Sequence, residues 1–360
     1  MNDQILLTPG PTPIPPEVLH EESLPIIHHR TKEFGQLFAE VQDNLRYVFQ
    51  TKEKVFLLAS SGTGAMECAV ANLVSAGDHA LVCSAGAFGE RWIKILNAFG
   101  AKVTALRPEW GTVPKAAELE KALNENPDVK FVFSTHTDTS TATASPIEEY
   151  GKIVAKTKAL LVVDAISGLG GQPLFMDAWN CDLVISASQK GLMSAPGVGL
   201  ISANAKAWTL VEQAQSPRFY WDLRTIEKAW HNSETPFTPA ISLIRSMNVA
   251  LKMIRQKTLE GVWKETADLA EYARAFGKSL GLTMFAKDPC QVLTGFNLPV
   301  GVDGEVLIRK IVEKYNISLA GGQEKLKGKI VRVAHMGYIQ KNDVEKGMKA
   351  LGEFLKEAGK

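Results

Sequence analysis

Between residues 55 and 203, short runs of consecutive apolar residues alternate with stretches whose apolar positions recur every three or four residues. The apolar runs are Val55–Ala59, Ala80–Cys83, Val103–Leu106, Phe131–Ser134, Leu160–Val163, Leu183–Ile185 and Val198–Ile201. Helical segments separate them: Gly62 to Val74, Glu90–Phe99, Glu118–Leu123 and Ile147–Ala155. A strand that is apolar throughout is covered on both faces, and strand–helix alternation makes neighbouring strands parallel. The pattern predicts an α/β fold with a mostly parallel sheet between two layers of helix. Such sheets place their chemistry at the carboxyl ends of the strands.

Beyond Ala203 the periodicity fades. Ser216–Pro239 mixes aromatic residues with the turn formers Pro217, Asn232, Pro236 and Pro239. A long helical region follows, from about Ile241 to Leu280. The remainder reads as a smaller α/β unit: strand Phe296–Leu298, helix Gly304–Tyr315, strand Ile330–Ala334 and a helix from Lys341 to Leu355.

Composition changes this picture little. Hydrophobic and charged contents of 45% and 22% are those of an ordinary globular protein, and 360 residues suffice for a large core. A net charge of +1 gives no reason to expect nucleic acid or an anionic membrane as partner. Cys68, Cys83, Cys181 and Cys290 form no CxxC pair and read as reduced thiols in a reducing, cytoplasmic setting. The polar start, Met1 to Gln4, is not expected to be a signal peptide, and no apolar stretch reaches transmembrane length. His79, His136, His231 and His335 lack ligand spacing, so no metal is assigned.

Two of the strands end in charge. Leu160–Val163 runs into Asp164, and Leu183–Ile185 leads through Ser186, Ala187, Ser188 and Gln189 to Lys190. Small neighbours around Lys190 leave room for a flat ring. A lysine to form a Schiff base and an aspartate to keep a pyridinium nitrogen protonated are what pyridoxal phosphate chemistry needs. The plainer readings are a turn lysine on the surface and a helix-capping aspartate. Ser61-Gly62-Thr63-Gly64 lies between a strand and a helix, where free N–H groups and hydroxyls cradle phosphate. No lysine follows its second glycine, which excludes a nucleotide-binding P-loop. Phe88 is either core or a plate for the ring. The hydroxyl-rich stretch Thr135–Thr141 stands where it can bond the cofactor's 3-oxygen. Arg332, inside an apolar strand, needs a structural ion pair or serves as a clamp for a substrate carboxylate.

These motifs together resemble the class V aminotransferases of the alanine–glyoxylate and serine–pyruvate or serine–glyoxylate branch. The resemblance runs nearly end to end: Leu7-Thr8-Pro9-Gly10-Pro11-Thr12, His29-Arg30, Ser61-Gly62-Thr63-Gly64, Asp164-Ala165, Ser188-Gln189-Lys190-Gly191, Thr235-Pro236 with Thr238-Pro239, and Arg332-Val333-Ala334-His335-Met336-Gly337. It implies a fold-type I pyridoxal phosphate transferase, with residues 1–15 contributing to the active site, 16–245 forming the large cofactor-binding domain and 246–360 the small domain. Lys190 is then the Schiff-base lysine and Asp164 the pyridinium partner. Ser61, Gly62, Thr63 and Gln189 hold the phosphate, Phe88 stacks on the ring, and Thr139 bonds the ring oxygen. Arg332 takes the substrate's α-carboxylate, and Thr235 or Thr238 reaches the cofactor phosphate of a partner subunit in a homodimer.

The chain departs from the family pattern in three places. Phe88 stands where several relatives have tryptophan, Asp138 and Ala142 where glutamate and glycine are common, and Ser194-Ala195-Pro196 where a proline pair is usual. The implied activity is ping-pong transfer of an amino group from serine or alanine to glyoxylate or pyruvate. Aspartate, phosphoserine or aminoethylphosphonate as donor is the alternative, with Arg30 serving a second anionic group; a non-catalytic subunit is another. A cysteine desulfurase needs a mobile cysteine, and Ser318–Gly322 holds none.

Overall fold

The computed structural model describes residues 4–358, and Met1–Asp3 of the polar start lie outside them. The large sheet has seven strands in the order Val55–Ala59, Val198–Ala203, Leu183–Ala187, Leu160–Asp164, Val129–Thr135, His79–Cys83, Lys102–Leu106. All run the same way except Val198–Ala203, which is antiparallel to both its neighbours. Strands His79–Cys83, Leu160–Asp164, Leu183–Ala187 and Val198–Ala203 are buried at every position. Because side chains alternate between faces, Leu160 and Val162 join one hydrophobic cluster while Leu161 and Val163 join the other. A continuous apolar run is therefore required, and the sequence supplies it. Each predicted strand of this sheet is present.

Several elements escape the periodicity reading. The helices Pro16–Ser23 and Lys32–Phe49 precede the first sheet strand; the second is capped by the Thr31 hydroxyl and buries Phe34, Phe38, Val41, Leu45 and Val48. Leu223–Trp230 is a helix within the aperiodic stretch, capped by Asp222. It buries only Leu223 and Ile226, too few positions to show a period. The long helical region is two helices, Ile241–Lys257 and Leu259–Ser279, broken where Thr258 adopts φ +66° and its side chain accepts from the Gly261 N–H. The strand expected at Phe296–Leu298 is Leu293–Asn297.

The smaller sheet is antiparallel, in the order Thr283–Met284, Leu293–Asn297, Ile330–Ala334, Ala320–Gly321. Helix Ile241–Lys257 buries Ile244, Met247, Leu251 and Ile254 in the core of the large unit, and Leu259 at the start of the next helix joins them, whereas Ala273 further along that helix packs into the core of the small unit. We therefore propose that the division falls within helix Leu259–Ser279, in place of 245/246. The N-terminal segment spans both. Ile5–Leu6 pairs in parallel with Ile317–Ser318, Leu7 is buried in the small unit's core, and its carbonyl accepts from the Ala334 N–H at 2.8 Å. No helix among the described residues is long and apolar enough to cross a membrane.

Candidate active site

Lys190 sits in a tight loop at the carboxyl end of Leu183–Ala187. Ser188 shapes that loop: its N–H donates to the Val198 carbonyl at 3.0 Å and its hydroxyl to the Ala195 carbonyl at 2.6 Å. The N-terminal segment is laid across the lysine. Thr12 donates its N–H to the Gln189 carbonyl at 3.1 Å and its hydroxyl to the Lys190 carbonyl at 2.9 Å, and the Lys190 ammonium donates to the Pro9 carbonyl. Gly10 between them has φ +129°, and a Cβ there would fall 2.2 Å from Lys190 Nζ. Only glycine fits. Burial pulls the Lys190 amine from 10.5 down to about 8, against the opposing charge of Asp164.

Asp164 ends the adjacent strand, paired in register with Thr135. It is 3% exposed, and one carboxylate oxygen accepts the Ile166 N–H at 2.9 Å. Burial raises its pKa from 3.8 to about 7, the nearby Asp138 adds to the rise, and Arg91 and Lys190 oppose it. A carboxylate so placed has a strong use for a cationic N–H.

Lys190 and Asp164 share the lining of one cleft with Ser61, Gly62, Thr63, Phe88 and Gln189, all expected from the sequence. Thr137, from the hydroxyl-rich stretch Thr135–Thr141, completes it together with Arg91, Ile166 and Ser167, which no motif marks. At one end lies the N-terminus of helix Gly62–Leu73, whose Ser61 cap accepts from the Gly64 N–H. The first N–H groups of a helix have no intrahelical acceptor, and its dipole favours an anion there. Arg91 adds a cation, donating to the Thr63 hydroxyl at 2.9 Å with its guanidinium 4.7 Å from the Phe88 ring centre. The Gln189 amide oxygen is buried without a partner. The i, i+3 spacing of Phe88 and Arg91 on one helix was the signal that marks them as neighbours.

Arg332 is 4% exposed, on the central strand of the small sheet. Its Nε donates to the Gly321 carbonyl at 2.8 Å and its Nη1 to the Thr139 carbonyl at 2.6 Å. Among the described residues no carboxylate pairs with it. Burial lowers its pKa only to about 10, so it stays charged at neutral pH, and that charge acts on Lys190. Such a cation is a seat for an incoming anion.

The remaining expected residues are not all gathered in the cleft. Thr139 is buried behind it, with its carbonyl committed to Arg332; the cleft wall takes Thr137 from this loop, with a hydroxyl that is buried and unpartnered. Thr235 and Thr238 line a separate groove beside Tyr220, Trp221 and Phe237, and the Thr235 hydroxyl donates to the Phe237 carbonyl at 2.7 Å. Arg30 forms an ion pair with Glu234 near the surface. Among the described residues no group of three or more His, Cys, Asp or Glu could hold a metal ion.

The chain is similar to known proteins along nearly its whole length. The family model described as "Aminotransferase class-V" matches residues 5–346. An uncharacterised aminotransferase of Methanocaldococcus jannaschii is 35% identical over 99% of this chain and 95% of that protein. The soluble hydrogenase 42 kDa subunit of Anabaena cylindrica is 36% identical over 100% of this chain and 95% of that protein. The crystal structure of alanine–glyoxylate aminotransferase from Nostoc sp. has a TM-score of 0.95 at 32% identity, covering 99% of this chain and 96% of that one.

Proposed function

Since the chain belongs to the class-V aminotransferases, we propose that it moves the amino group of a small L-amino acid, serine or alanine, to a 2-oxo acid, glyoxylate or pyruvate, in a ping-pong cycle. Its cofactor is pyridoxal 5'-phosphate, which supplies an aldehyde to carry the amino group and a protonated ring to withdraw electrons from the carbon that loses its proton. The cleft fits that group at each end. The helix N-terminus at Gly62 and Thr63, with Ser61 and the N–H end of the Gln189 amide, suits the phosphate. The buried carboxylate of Asp164 suits the ring N–H, and Phe88 offers a face for stacking.

Lys190, with its pKa near 8, has enough free amine at neutral pH to accept a proton at Nζ and return it. The observation that carries the substrate reading is Arg332: a buried guanidinium without a carboxylate partner, whose charge reaches Lys190. A substrate α-carboxylate held there brings its amino group toward the lysine. Pro9 and Gly10 lie directly against Lys190, which favours a donor with a small side chain. Aspartate, phosphoserine or aminoethylphosphonate would need a further free cation, and Arg30 is engaged by Glu234. A non-catalytic subunit would leave Lys190, Asp164 and Arg332 as charges held by backbone groups alone, with no ion pair among the described residues.

Two further readings accompany this one. Thr235 and Thr238, set away from the chain's own cleft, suit contact with the cofactor phosphate of a second copy in a homodimer. Four buried, free cysteines suit a reducing, cytoplasmic setting. The test is the visible absorption of the cofactor-loaded protein. Adding L-serine or L-alanine should abolish the aldehyde-form band, and glyoxylate or pyruvate should restore it. A band that none of these amino acids moves would refute the substrate assignment.

A further inference from the structure

The loop after Val129–Thr135 ties together two residues that the proposed function uses separately. Asp138 is 1% exposed. One of its carboxylate oxygens accepts the N–H of Phe88 at 3.0 Å and of Gly89 at 3.1 Å. The other accepts the Ser140 N–H at 3.1 Å and the Ser140 hydroxyl at 2.5 Å. The Ser140 oxygen in turn accepts the Ala87 N–H at 2.8 Å. The opening amides of helix Ala87–Ala98 are thus held by side chains from a loop fifty residues further along the chain.

A cap for stability alone is normally supplied by the residue preceding the helix. Here that residue is Gly86, which has no side chain to give. A Cβ on it would fall 2.4 Å from the Ser140 oxygen and 2.6 Å from Asp138 Oδ1, so the local cap is absent and the distant one takes its space. Between the two clamping residues, Thr139 gives its carbonyl to Arg332 at 2.6 Å, and the Asp138 charge attracts the same guanidinium. Three consecutive residues therefore touch Phe88 on the large unit and Arg332 on the small one.

We propose that Asp138 is a positioning residue that sets the Phe88 ring plate and the Arg332 carboxylate clamp in a common register. The inference rests on the roles given above to Phe88 and Arg332. It makes one carboxylate, in contact with neither cofactor nor substrate, govern the binding of both.

The test is Asp138→Asn in the full-length, cofactor-loaded protein. An amide keeps one acceptor oxygen, so either the N–H groups of Phe88 and Gly89 or the N–H and hydroxyl of Ser140 lose their partner. Cofactor dissociation constant and amino-acid KM should both rise, about tenfold or more each, and the visible circular dichroism of the bound cofactor should weaken as the ring loses its fixed plate. A lowered melting temperature with all three unchanged would overturn the proposal, as would a change confined to cofactor or to substrate. Ser140→Ala, which removes only the Ala87 contact and one bond to Asp138, guards against a fold that fails; it should give the same paired shift at smaller size, and no shift in either would overturn the idea. Phe88→Ala and Arg332→Lys separate the two levels. If they leave cofactor affinity and KM untouched, the underlying site reading fails; if they shift them while Asp138→Asn does not, only this inference does.

Discussion

Asp164→Asn separates the cost of a buried carboxylate from its use. In the cofactor-free chain the carboxyl is 3% exposed, accepts one backbone N–H, and is lifted by burial from 3.8 to about 7. Between those two values the folded state keeps a proton that the unfolded chain has released. Stability from this group therefore falls as pH rises through the window and levels off above about pH 7. The displacement corresponds to about 4 kcal/mol in full, of which about 2.5 kcal/mol falls between about pH 5 and about pH 7.5. Lys190 does not blur the measurement. Its pKa is lowered from 10.5 to about 8, so its stabilising contribution grows only as pH rises above about 8. Urea unfolding of the stripped protein near each pH should show wild type losing more stability than the variant, by about 2–3 kcal/mol, across that interval. With pyridoxal phosphate bound the order should reverse, because the ring N–H then meets the wild-type carboxylate, and turnover of the variant should drop by orders of magnitude. Equal losses for both stripped proteins would refute the argument that this carboxylate is strained by burial. A variant with full activity would refute its electron-sink role.

Three other outcomes are expected. Lys190→Ala should lower turnover more than about a thousandfold while the protein still binds cofactor noncovalently, as dialysis followed by absorbance will reveal; near-normal turnover removes Lys190 from the chemistry. Gly10→Ala puts a Cβ 2.2 Å from Lys190 Nζ on a backbone with φ +129°. It should cost about 100-fold in kcat/KM with a modest fall in melting temperature, and an unchanged rate would show that Pro9–Gly10 does not confine the lysine. Arg332→Lys loses the forked geometry that suits a carboxylate and should raise amino-acid KM about tenfold or more; an unchanged KM takes Arg332 out of the substrate site.

The large sheet was legible because burial on both faces forces each strand to be apolar from end to end. That same rule made Asp164 and Lys190 conspicuous, as charges standing where those runs stop. What escaped was set by contacts without a period. Pro9 meets Lys190 across 181 residues, and Asp138 meets Phe88 across 50, through loops that carry no repeating pattern. Helix Leu223–Trp230 hid for the opposite reason, since eight residues with two buried positions cannot establish a repeat. Arg332 could be singled out as a charge in an apolar strand, yet its satisfaction by the carbonyls of Gly321 and Thr139 is a fact of tertiary structure alone.

The path of the N-terminal segment has a consequence for how the molecule is made. Ile5 finds its strand partner at Ile317, and the Leu7 carbonyl its donor at Ala334, so neither can settle until those residues have been synthesised. Chains fold from the N-terminus as they emerge, and distant pairings form late. The large sheet, complete by residue 203, can therefore assemble with Lys190 and Asp164 still uncovered. Pro9–Thr12 closes over the lysine only as the small unit forms. Residues Ile5 to Leu7 are thus among the last of this fold to take their place, because their partners lie more than three hundred residues further along.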